Sequence, residues 1–116
     1  MRTSMALVVK FIITFVAALI AFYFLMTNDL IWIFLVALLA TIANYLIGDL
    51  IILPSMGNIV ASIADGFMAG LVAYIFDFFL PVFTTTWATL LWFAIIIAVG
   101  EYFFHIYLKE DEKVAP

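Results

Sequence analysis

Five side chains in this sequence are placed where chemistry would be expensive to leave idle: Lys10, Asn44, Asp65, Glu101 and His105. Each stands inside a long apolar run. A lone ionised carboxylate in hydrocarbon costs at least ~2.5 kcal/mol on insertion scales, so such groups pair with one another or mark a path for protons and ions. Asp65 and Glu101 are therefore the candidates for proton or cation handling. Lys10 is expected to bridge them, or one acid keeps its proton. His105, one helical turn beyond Glu101, is spaced to donate a hydrogen bond to it or to share its proton.

Two further chemistries are weighed and set aside. Glu101 and His105 have the i, i+4 spacing of ligand-bearing helices, and Asp65 with Asp49 would extend the set. A single histidine makes this a weak signal, and no metal or cofactor is expected. Ser62, His105 and an acid would form a hydrolytic trio, but no motif puts the serine on a strained turn or supplies an oxyanion hole. The chain is not expected to be an enzyme.

The elements that must position these residues follow from composition. Of 116 residues, 70% are apolar and 10% charged, against about 45–50% and about 25% in a soluble domain. A chain this short cannot bury such an excess, so its solvent is lipid. Continuous apolar runs select helices over a closed barrel. The expected spans are 5–26, 30–53, 59–80 and 87–108, followed by a polar tail, 109–116. The first span, 22 residues at about 1.5 Å each, crosses a hydrocarbon core of about 30 Å. It is read as a retained helix because no small-x-small cleavage site follows it. The fold class is all-α, a single domain over 1–116 built as a four-helix antiparallel membrane bundle.

Arg2, Lys10, Lys109 and Lys113 all fall on the side of both termini, which places the N and C termini in the cytoplasm. Trp32, Trp87, Trp92, Tyr23 and the phenylalanines of 76–83 suit an outer aromatic belt, and Tyr45, Tyr102 and Tyr107 an inner one. There is no cysteine, which excludes disulfides and thiolate sites. Four basic residues make no patch for nucleic acid. The expected partner is the lipid bilayer.

Local signals mark the turns. Asn28 or Asp29 suits the N-cap of the second helix. Gly48 and Pro54 are the stops for that helix, Pro54 and Gly57 make the turn, and Asn58 caps the third helix. Asp49 falls at the membrane boundary. Asp77 is expected to be solvated near the outer end of its helix.

The stretch NYLIGDLIILPSMGNIVASIADG, Asn44 to Gly66, carries a pattern. Gly48, Asp49, Leu53, Pro54, Gly57, Asn58, Ala61, Ile63, Ala64 and Asp65 resemble the YndM-like family, small four-helix membrane proteins of bacilli and relatives catalogued as a domain of unknown function. The resemblance implies the fold and a location in the bacterial cell membrane, with no established activity. It departs at Ser55-Met56, where a basic residue is expected after the Leu-Pro pair. A family role for that residue on a lipid headgroup or a carboxylate is one this chain does without.

Rotation at 100° per residue groups Lys10 with Thr14, Ala17 and Ala21, and Asn44 with Ala37, Thr41 and Gly48. It groups Asp65 with Asn58, Ala61 and Ala69, and Glu101 with Ala94, Ala98 and His105. Small and polar residues on one stripe suit a buried helix interface, so the four stripes are expected to meet in one layer about 10 Å inside the cytoplasmic face. A second stripe of Ser62, Gly66, Gly70, Ala73 and Asp77 lies about 100° away from Asp65 and is expected to serve a different contact. Gly66 and Gly70, with Ala73, pack either another helix of the bundle or a second copy of the chain. The reading favoured is a structural or accessory membrane protein whose polar layer fixes helix register. The rival is a small proton- or cation-handling transporter or channel using Asp65 and Glu101, distinct from the small multidrug exporters because lysine replaces their helix 1 acid.

Overall fold

The computed structural model describes residues 3–110. These form four helices, with no strand among the described residues. We label them α1 (Thr3–Phe24), α2 (Leu30–Met56), α3 (Asn58–Phe79) and α4 (Trp87–Glu110). All four are long and apolar enough to cross a membrane. The molecule is 43 Å along its principal axis. The remainder of the expected polar tail, 111–116, and Arg2 lie outside the described residues.

The expected spans hold to within two or three residues at every end. The main difference is α2, which continues through Leu50–Leu53 and past Pro54 to Met56. Pro54 was expected to stop the helix. It is tolerated because Asn44–Ile52 winds as a π-helix, after which Pro54 enters the first turn of a fresh α-helical segment, Leu53–Met56. A proline costs little in a first turn, where its missing N–H has no obligatory acceptor. The Ser55 hydroxyl donates back to the Ile51 carbonyl at 2.6 Å. The actual break is Gly57, with φ at +86°. A Cβ there would touch nothing, so the requirement is for backbone freedom alone. The last turn of α1, Leu19–Phe24, is also π-helical.

The stripes of small residues on α1, α2 and α3 meet, while Ala94 and Ala98 of α4 are half-buried and face Gly66 instead. Ala17, Ala18 and Ala21 of α1, Ala37 and Ala40 of α2, and Ala69 and Ala73 of α3 are buried in one core. Phe22, Phe83 and Phe93 fill its outer end, Phe22 lying edge-on to Phe93 at 4.9 Å and to Phe83 at 5.4 Å. A smaller cluster of Ala6, Leu53, Ala61 and Phe104 closes the opposite end of the bundle. Large apolar side chains such as Ile12, Ile31, Phe67, Leu91 and Phe103 point outward, as a lipid-facing surface requires.

Of three loop expectations, the cap of α2 holds in position and two are corrected. Asp29 occupies the N-cap position of α2 without a side-chain cap bond. Asn28 instead is buried and ties two loops together, donating to the Phe22 and Thr84 carbonyls at 3.2 and 2.8 Å and accepting from the Thr84 N–H at 2.8 Å. Asp77 is half-buried and accepts from the Thr85 N–H and hydroxyl at 3.0 and 2.6 Å, because that loop folds back over the end of α3. Asn58 does not cap α3, where the N-cap is Gly57 with no side-chain bond; its amide is used elsewhere.

Candidate functional site

Between the two apolar clusters lies a layer of polar side chains from all four helices. Lys10 on α1 and Asn44 and Asp49 on α2 are buried there. So are Ser62 and Asp65 on α3, and Glu101 and His105 on α4. Four of the five residues expected in the layer are charged or titratable, and all five have no exposed surface.

The Lys10 ammonium bridges two carboxylates, Glu101 Oε2 at 2.6 Å and Asp49 Oδ2 at 3.2 Å. It also sits 5.3 Å from the Phe104 ring centroid, over its face. The expected bridge was between Asp65 and Glu101. Asp49 takes the place of Asp65, which turns to the histidine instead.

His105 is the centre of the arrangement. Its Nε2 has Asp49 Oδ1 at 3.0 Å, Asp65 Oδ2 at 3.1 Å and Glu101 Oε2 at 3.3 Å. Its Nδ1 lies 2.8 Å from Asn58 Oδ1 and 3.2 Å from Ser62 Oγ. Asn58 Nδ2 donates to the Tyr102 carbonyl at 2.9 Å, which fixes which end of the amide faces the ring. Ser62 donates to the same Asn58 oxygen at 2.9 Å. An acceptor oxygen facing Nδ1 makes that nitrogen the N–H donor, and Nε2 is left to meet the three carboxylates.

Two residues of this site were misplaced by sequence reasoning. Asp49 was put at the membrane boundary by its place near the Pro54 turn; on a regular α-helix it would also lie about 140° from Asn44. The π-helical winding, with its i→i+5 bonding, returns the fifth residue over the first and carries Asp49 inward. Ser62 was assigned to a different contact from Asp65, yet His105 meets both. Their i, i+3 spacing was the signal that they share a side of the helix. Gly48 is buried where the Asp65 carboxylate passes against α2.

Gly66, on the small-residue stripe, lies against the Ala94 carbonyl and Ala98 Cβ of α4. Gly70 has only looser neighbours, Ala94 Cβ and the Leu90 carbonyl at 3.9 Å. Ala73 is buried in the core.

Several acceptors in the layer have no hydrogen-bond partner among the described residues. They are the acceptors Asp65 Oδ1, Glu101 Oε1 and Asn44 Oδ1; the Asn44 Nδ2 donor and the Thr14 and Thr41 hydroxyls nearby are also without a partner. Burying a polar group without a partner costs about 1–3 kcal/mol. The layer therefore holds both carboxylate oxygens and an amide that its own contacts leave unused.

An uninterrupted bundle with this polar layer matches one family over 1–114, described as "Protein of unknown function (DUF2512)". The chain belongs to that family. Every residue of the polar layer lies inside the DUF2512 match, so the layer is part of the family domain and not an appendage to it. No curated protein and no solved structure matches the chain.

Proposed function

We propose that this DUF2512 member is a non-enzymatic, multi-pass protein of the bacterial cell membrane, of the YndM-like kind, that handles a cation at Lys10, Asp49, Asp65, Glu101 and His105. The observation that carries this is the charge count. Three carboxylates face one lysine and one histidine in a layer with no exposed surface. Fastening four helices requires less: Lys10 with Glu101 and Asp49 already joins α1, α2 and α4, and a neutral side chain at 65 would join α3 at lower desolvation cost. A surplus of buried anionic groups is what a transferable cation needs. Asn58, half-exposed beside the α2–α3 turn, links His105 to that end of the bundle.

An orientation with both termini in the cytoplasm is supported by Arg2, Lys10, Lys109 and Lys113 all falling on the terminal side. The partner is the bilayer, with a second copy of the chain docking on the looser Gly70 end of its stripe.

The test is flux in proteoliposomes. Wild-type vesicles are expected to pass protons or metal cations, and Asp65→Asn and Glu101→Gln to abolish this while remaining folded.

A second reading is favoured by the apolar plugs on either side of the layer, Phe22–Phe93 outward and Phe104–Leu53 inward. In it the cluster is a structural clasp for an accessory protein. It gives no flux in wild-type vesicles, and the same substitutions lower thermal stability in detergent.

A further inference from the structure

The geometry around His105 Nε2 assigns this site to a divalent first-row transition metal, bound by Asp49, Asp65, Glu101 and His105. The inference rests on the cation-handling reading above and names the ion class.

The ligand atoms of these four buried residues lie within 4.8 Å of one another. More telling are the distances of the three carboxylate oxygens from Nε2, 3.0, 3.1 and 3.3 Å. A single N–H cannot donate to three oxygens at once. Donors bound at about 2.0–2.2 Å to one ion stand about 2.8–3.6 Å apart along the edges of an octahedral or tetrahedral shell, and these separations fall in that range.

The far side of the ring supplies an independent argument. Metal-ligating histidines almost always donate their second ring N–H to a fixed acceptor, which sets the tautomer and the ring orientation. Asn58 Oδ1, held by its own bond to the Tyr102 carbonyl, is that acceptor. In the neutral ring the Nε2 lone pair is then directed at the carboxylates. A lone pair facing three anionic oxygens is repulsive unless a cation lies between them.

Charge balance agrees. Three carboxylates, the Lys10 ammonium, a neutral His105 and a divalent ion sum to zero, whereas a protonated His105 in the ion's place leaves one negative charge in a layer that excludes water. Lys10 then neutralises the anionic excess and shares Glu101 Oε2 with the site, while Glu101 Oε1 has no hydrogen-bond partner. The inward face of α2 adds Asn44, wholly buried and with neither amide atom partnered, one turn from Gly48, whose missing side chain admits Asp65. One imidazole with three carboxylates suits Mn²⁺, Fe²⁺ or Zn²⁺. The imidazole disfavours Mg²⁺ and Ca²⁺, and without sulfur ligands the site disfavours Cu⁺.

The experiment uses the full chain, purified in detergent, stripped with chelator and dialysed against Zn²⁺ or Mn²⁺ in a tenfold excess of Mg²⁺. Metal content and the Co²⁺ visible spectrum are the readouts. One equivalent of Zn²⁺ or Mn²⁺ per chain is expected, lost in His105→Gln and Asp65→Asn. Asn58→Ala is expected to weaken binding about 10- to 100-fold. Should the first two variants lose their helical spectrum, Asn58→Ala and a Zn²⁺-dependent rise in the wild-type unfolding temperature decide. Wild type that retains no Zn²⁺ or Mn²⁺, or retention unchanged by His105→Gln, overturns the assignment. Metal bound without flux supports the site and defeats transport; proton flux without bound metal does the reverse.

Discussion

The Asp65 carboxylate on α3 occupies the space into which a side chain on Gly48 of α2 would project. The two residues are an acid and the hole it needs. Gly48→Ala would put a Cβ against Asp65 Oδ1 and its carboxyl carbon. Overpacking a filled interior costs about 1–3 kcal/mol, so the variant is expected to unfold at lower temperature in detergent. Adding Asp65→Ala to it should return much of the loss, and a second loss equal to the first would show that the two side chains do not compete for space.

Lys10→Met leaves Glu101 and Asp49 buried without their shared ammonium. Breaking a buried ion pair from one side costs about 3–5 kcal/mol. The expected result is a large drop in thermal stability, partly recovered when Glu101→Gln is combined with it. A double-mutant cycle measures the coupling, and strict additivity of the two changes would contradict the 2.6 Å contact.

Gly66 and Gly70 separate intramolecular packing from self-association. Gly66→Ala meets the Ala94 carbonyl and should push α3 from α4, with a stability loss of about 1–3 kcal/mol. Gly70→Ala finds its nearest atoms at 3.9 Å and should leave stability within about ±0.5 kcal/mol. The bulkier Gly70→Leu is expected to lower the apparent mass of the detergent complex in sedimentation. An unchanged mass would leave the Gly70 face without a second copy.

Asn28 is a lever on the other end of the molecule. Its side-chain contacts close the loop after α1 onto the loop before α4. Removing it leaves the Thr84 N–H and carbonyl without Asn28 at about 1–3 kcal/mol each at most, while the Phe22 carbonyl keeps the Asn28 backbone N–H at 3.1 Å. Asn28→Ala should speed proteolysis of the loop around Thr84 while metal retention stays at the wild-type level. Equal cleavage rates in the two proteins would mean that Asn28 does not hold those loops.

The four helices were legible because lipid allows no other way to satisfy the backbone, so continuous apolar runs suffice to place them. The meeting of Lys10, Asn44, Asp65, Glu101 and His105 was legible too, since regular rotation and depth counting put them in one layer. Asp49 entered the reading only as an added member of a ligand set, and its inward placement was not legible. A sequence carries no plain mark of π-helical winding, and ideal 100° steps turn that carboxylate away from the core. Pro54 was misjudged for the same reason: a proline reads as a stop until the preceding turn has already given up α-helical bonding. Asn58 looked like a cap because its position fits one, whereas its amide is held by Tyr102 and His105 from a helix 44 residues away in sequence.

The widened turn of α2 has one last consequence. A segment bonded i→i+5 holds a surplus residue that an ordinary winding would expel. The contacts of Asp49 with Lys10 and His105 depend on that one extra residue, so deleting a residue within Asn44–Ile52 is expected to withdraw the carboxylate from both.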